Sequence, residues 1–98
     1  MAKVYITAIE LSGGTLVRHI VNVWYGPNPA WSQSDTKRST SDMADLIDGK
    51  VHQAWVQDPA NRQEAEVIVV RPTGRPKYLR TKADDDPNDN LLKLPKKK

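Results

Sequence analysis

The residues best suited to chemistry are a run of cations. Arg71, Arg75, Lys77, Arg80 and Lys82 fall within twelve residues that hold no acid, with Tyr78 among them. In a strand over 77–82, alternation would put Tyr78, Arg80 and Lys82 on one face and Lys77, Leu79 and Thr81 on the other. Two cations beside an aromatic ring can hold phosphates and stack a base, as single-strand nucleic-acid binders do. An edge strand protected from aggregation by positive charge has the same composition. The candidate anion-contact set is therefore Arg71, Arg75, Lys77, Tyr78, Arg80 and Lys82.

Other chemistry is thinner. The turn Asp84-Asp85-Asp86-Pro87-Asn88-Asp89-Asn90 offers oxygens at alternate positions, as a hard cation requires. Counted from Asp84, however, the sixth position is Asp89 where a helix-loop calcium site needs Gly, and the twelfth is Pro95 where it needs Glu. A solvated turn with Asp89 and Asn90 bonded to local amides fits better. His19 and His52 stand apart from any acid or serine at a catalytic spacing, and no nucleophile elbow, phosphate loop or paired-carboxylate motif occurs. The absence of Cys removes disulfides and thiolate chemistry. These residues predict a non-enzymatic protein with no catalytic residues, bound metal or cofactor.

The chain has 98 residues, enough for one core that buries somewhat over ~60% of the unfolded surface. It contains no Phe, so Trp24, Trp31 and Trp55 must supply much of the aromatic packing. Net charge is +3 but uneven: residues 1–48 carry four bases and five acids, residues 49–98 eleven bases and seven acids. That asymmetry favours an anionic partner, nucleic acid or an acidic protein. No apolar run approaches the ~20 residues of a membrane helix, which predicts a cytoplasmic protein with no membrane association.

The elements that must position these groups follow from pattern. Val4 to Leu11 and Thr15 to Trp24 read as a hairpin joined at Ser12-Gly13-Gly14, with Val17, His19, Val21 and Val23 facing inward and Arg18, Ile20, Asn22 and Trp24 facing away. Residues 25–38 read as a loop, whose Tyr25 and Trp31, with Trp24 just before them and with Pro27 and Pro29, either cap the sheet or line a groove. Ser39, Thr40 or Ser41 can cap a short helix carrying Met43, Leu46 and Ile47, with Gly49 as its stop. Strands follow over 51–57, 64–71 and 77–82, the run Val67-Ile68-Val69-Val70 suiting a central strand covered on both faces. The predicted fold is α+β: an antiparallel sheet of about five strands in the order β-β-α-β-β-β, one short helix across a face, and a C-terminal strap. Residues 1–95 form this single domain and 96–98 a flexible lysine tail. Leu91, Leu92 and Leu94 are too apolar for a free end and too close together for a stable helix. They either strap the domain or form an interaction tail, leaving the protein a monomer or a weak homodimer.

Several segments resemble one family. Tyr5-Ile6-Thr7-Ala8-Ile9, Leu46-Ile47-Asp48-Gly49, Tyr78-Leu79-Arg80-Thr81 and above all Asp89-Asn90-Leu91-Leu92-Lys93-Leu94-Pro95 are similar to small bacterial proteins catalogued as domain of unknown function 3892. The loop 25–38 and Asp84-Asp85-Asp86 depart from that pattern. The resemblance implies a compact α+β domain and carries no activity. From the residues themselves, the expected function is a binding module that contacts nucleic acid or another anion through 71–82. The alternative is a protein-interaction or self-assembly domain using a sheet edge and the leucine tail.

Overall fold

In the computed structural model, which describes residues 2–14, 17–57, 62–82, 91 and 94–97, the described residues build one six-stranded sheet with a single α-helix. β1 (Ala2–Leu11) leads through a 3-10 turn (Val17–His19) to β2 (Ile20–Gly26) and β3 (Thr36–Ser39). Helix α1 (Thr40–Asp48) then crosses to β4 (His52–Gln57), followed by β5 (Glu64–Val70) and β6 (Tyr78–Thr81). Strand order is β3-β2-β1-β4-β5-β6. No described helix is long and apolar enough to cross a membrane.

The α+β class holds, with two corrections. The described residues form six strands, because Thr36-Lys37-Arg38-Ser39 pairs with β2, three of these four residues lying inside the stretch expected to be loop. Those four residues carry no large apolar side chain, so only backbone pairing marks them as a strand. The sheet is also mixed. Helix α1 carries the chain from the β3 edge across the sheet, so β4 lies parallel to β1 while the other neighbours are antiparallel. The run Val67 to Val70 is next to an edge, with Val67 buried and Ile68, Val69 and Val70 half-buried.

Two slips of register set the core. Ile6 pairs with Tyr25 and Ala8 with Trp24, leaving Thr7 as an extra residue in β1. Thr7 is buried but satisfied: its hydroxyl donates to Asp35 Oδ2 (2.7 Å) and lies 3.3 Å from the Trp24 carbonyl. Between Glu10↔Asn22 and Leu11↔Ile20, Val21 is the extra residue of β2. The predicted alternation therefore changes phase, so Ile20 and Val23 are buried while Val21 is 39% exposed.

Helix α1 closes the core from one side. Ser39 caps it by accepting from the Asp42 amide (3.1 Å), and the buried Thr40 hydroxyl donates to the Ile20 carbonyl (2.7 Å). Met43 and Ala44 pack into a cluster with Ile6, Ile9, Val23, Val56, Val67 and Leu79, while Leu46 and Ile47 lie partly covered at its edge. Leu91 and Leu94 belong to this same core, at 0% and 6% exposure. Full burial of each leucine stabilises by ~1.5–3 kcal/mol. Leu92 and the acidic turn 84–90 lie outside the described residues. Lys96 and Lys97, expected in a flexible tail, are tied to β1: Ile9 donates to Pro95 O (3.0 Å) and its carbonyl accepts from Lys97 N (2.8 Å).

On the opposite face a polar cluster joins three strands. The Lys3 ammonium sits 5.2 Å and 5.1 Å from the Tyr5 and Trp55 ring centroids and 3.1 Å from Glu64 Oε1. Tyr5 donates to Glu64 Oε2 (2.8 Å). That hydrogen bond, then the one from Lys3, holds the Glu64 carboxyl below its usual range, and Tyr5, then Glu64, hold Lys3 above its own.

Two outcomes follow from this packing. Leu91→Ala should lower unfolding free energy in urea by about 2–5 kcal/mol, whereas Val51→Ala, at a site 52% exposed, should stay within about 0.5 kcal/mol. Equal, small effects would show that Leu91 does not fill the core. Because folding lowers the Glu64 pKa, its contribution is complete above the ordinary glutamate value of about 4.3 and fades as pH falls through the folded value. The melting-temperature gap between the wild-type protein and Glu64→Gln should therefore shrink between about pH 7 and about pH 2.5, and a gap constant across that range would exclude the linkage.

Candidate anion-binding cleft

The segment Arg71-Pro72-Thr73-Gly74-Arg75-Pro76-Lys77 is a turn with its conformation written into it. Two prolines fix their own backbone angles, Gly74 takes the positive φ of +74° that a side chain would resist, and the Arg75 amide lies 3.4 Å from the Pro72 carbonyl. Both ends are held by helix α1. Arg71 pairs with Asp48 and Lys77 with Asp45, acids three residues apart and so neighbours on the helix surface. Strand β6 then alternates, with Leu79 and Thr81 fully buried and Tyr78 and Arg80 half-buried on the other face.

The sheet curves so that β6 comes against the 3-10 turn Val17–His19. Val17 anchors that turn in the core at 2% exposure, and the Ser12 amide closes the loop by donating to the His19 carbonyl (2.9 Å). The imidazole of His19 lies directly over Gly14, where any Cβ would collide with the ring. Between the two walls opens a cleft of about 210 Å³ lined by Arg18, His19, Pro72, Arg75, Pro76 and Tyr78. No acid lines it. Arg18 and Arg75 are exposed and make no ion pair among the described residues. A guanidinium can grip a phosphate through two parallel hydrogen bonds, while tyrosine and imidazole offer ring faces for stacking.

The structure divides the predicted set. Arg75 and Tyr78 are in the cleft; Arg71 and Lys77 are paired to the helix behind it. Arg80 donates from Nε to the Thr81 carbonyl (3.3 Å), and Lys82 is exposed at the end of β6. Sequence reasoning missed Arg18 and His19 because a continuous strand would send adjacent residues to opposite faces. The 3-10 turn brings both to one cleft; the diglycine at 13–14, where the chain can turn back on itself, was the available signal.

Other candidates are internally satisfied. Lys37 lies 5.2 Å from the Trp24 ring and 3.7 Å from Glu10, and Lys97 lies 4.0 Å from the ring of Trp31. Trp24 and Tyr25 point to opposite faces of β2, and Tyr25 accepts from Arg38 Nε (3.2 Å), so these aromatics do not line one groove. His52 packs against Tyr25 with ring centroids 5.4 Å apart. Among the described residues, no three His, Asp or Glu side chains gather as a metal-holding group.

A family model described as Protein of unknown function (DUF3892) matches residues 5–95. The chain belongs to this family. The DUF3892 match covers both walls of the cleft and the helix that braces one of them. No curated protein and no solved structure matches the chain.

The close contact at Gly14 is testable without a ligand. Gly14→Ala should destabilise the DUF3892 domain by about 1–3 kcal/mol, as overpacking does, and shift the imidazole resonances of His19 while leaving those of His52 in place. Unchanged His19 signals would mean that its ring does not rest on the glycine.

Proposed function

We propose that this DUF3892 domain is a non-enzymatic binding module that takes a phosphate-bearing ligand between the Val17–His19 turn and the 71–77 loop, with single-stranded nucleic acid as the leading class. The observation that carries this reading is the convergence of Arg18 and Arg75, both without an acidic partner among the described residues, on a cleft that also presents His19 and Tyr78. The volume of about 210 Å³ falls below the ~300–1,000 Å³ of sites that enclose whole drug-sized ligands. It suits one phosphate-bearing unit of a longer molecule better than a complete dinucleotide cofactor. Arg80 and Lys82 extend positive charge along β6, where a neighbouring phosphate of the same strand would run.

The self-assembly alternative has less support. Leu91 and Leu94 are committed to the chain's own core, so it would rest on the β3 and β6 edges.

A backbone-amide NMR titration with a short mixed-sequence single-stranded DNA, at about 50 mM and about 200 mM salt, tests the proposal. Arg18, His19, Arg75 and Tyr78 should shift together and more weakly at the higher salt. Arg18→Ala and Arg75→Ala should each weaken binding roughly tenfold to a hundredfold, the equivalent of ~1.5–3 kcal/mol for a hydrogen bond to a charged group. Shifts confined to residues 95–97, or none, would overturn it.

A further inference from the structure

We infer that Asp45 and Asp48 are positioning residues for the anion site. Through Lys77 and Arg71 they hold the loop that presents Arg75, so that two acids are required for binding a ligand of their own charge. The inference rests on the cleft being the anion site. Its basis is geometric. Residues 72–76 form the turn of an outer hairpin, because β6 pairs only with β5 and ends the sheet. Arg75 sits at the exposed tip of that turn, one wall of the cleft. The two cations flanking the turn are each tied to α1, to acids on successive turns of one helix surface.

The pairs differ in which partner is covered. Lys77 is the better covered cation, with a side-chain exposure of 21% against 58% for Arg71, whereas Asp45 is the more exposed acid, at 63% against 38% for Asp48, so solvent screens both ties. A solitary exposed ion pair contributes little to global stability. Its local effect is different in kind. With both ends of a five-residue turn anchored and two prolines inside it, Arg75 is held on one wall of the cleft that Arg18 also lines before a ligand arrives, and less ordering entropy is lost on binding. This also assigns Arg71 and Lys77 to bracing the turn, apart from the ligand contacts made by Arg18, His19, Arg75 and Tyr78.

Simple electrostatics predicts the reverse. Neutralising Asp45 and Asp48 removes two negative charges from beside a cationic cleft and frees two cations, which should tighten anion binding. The two accounts therefore differ in sign.

Asp45→Asn/Asp48→Asn would be titrated with inorganic phosphate and, separately, with a short single-stranded DNA, alongside the wild-type protein and Arg75→Ala. The double variant should bind both probes about three- to tenfold more weakly, with little change in melting temperature, because pre-organisation is lost while the fold stays. Its amide exchange at residues 73–75 should rise. Reversing one pair, Asp45→Lys with Lys77→Asp, should restore much of the affinity, which it would not do if Lys77 touched the ligand. Binding equal to or tighter than wild type, or amide exchange at 73–75 unchanged in the double variant, would overturn the positioning role. Failure of the cleft itself reads out differently: the wild-type protein would bind neither probe, or Arg75→Ala would bind as well as wild type. Binding of phosphate but not DNA would limit the ligand to a free phosphoryl group.

Discussion

Everything in this domain is referred to the backbone of β1. One edge pairs with β2. The other is shared end to end, by β4 along Ala2–Tyr5 and then by the C-terminal segment at Ile9. A strand hydrogen-bonded on both sides cannot slide without breaking both ladders, so its register fixes that of its neighbours. The parallel pairing with β4 is possible only because helix α1 carries the chain across the sheet, and the helix in turn covers the core face. The tail completes the same edge while inserting Leu91 and Leu94 beneath it. These segments, distant in sequence, thus depend on the polar groups of one ten-residue strand.

Inserting Thr7 and Val21 into that ladder explains what the sequence could and could not disclose. The backbone period correctly marks the helix stripe begun by Met43 and the pattern of β6, because in both the apolar side chains keep step with it, whereas Val4–Leu11 is marked as a strand by its β-branched and apolar composition and changes phase at Thr7. Alternation fails around Ile20 and Val21, where a bulge advances the phase by one residue and moves a valine to the surface. It is silent for Thr36–Ser39, whose side chains are polar and mostly exposed and so carry no apolar period. Nor can periodicity say where a crossover lands, and that alone decides whether β4 runs with β1 or against it.

The candidate site was legible as a composition and not as a place. The basic run 71–82 stands out because acids are missing from it, but charge count does not distinguish a cation that is spent from one that is available. Asp45 and Asp48 lie over twenty residues upstream of Arg71, and only the packing of α1 beside the turn shows that they engage Lys77 and Arg71. The remaining partner, Arg18, comes from a segment whose local charge is unremarkable. Its role depends on the sheet curving until β6 meets the 3-10 turn, a long-range consequence of strand twist and bulges that no local window contains.

This distribution of pairing decides what the cleft is suited to. Lys3 and Lys37 are neutralised by glutamates on their own face and also lie against aromatic rings, so their charge is largely used within the fold. A phosphate approaching that face would meet Glu10 and Glu64 as soon as it met the lysines. At the Arg18–Arg75 cleft no carboxylate of the described residues lines the walls, and Asp45 and Asp48 pair with the flanking cations of the turn. Coulomb attraction falls only inversely with distance, so selectivity for an anion comes from keeping acids off the contact surface, not from accumulating bases. By that measure the cleft is a place on the described surface that two guanidinium groups line without an acid, and on the proposed reading the rings of Tyr78 and His19 beside it favour a ligand with a planar group attached to its phosphate.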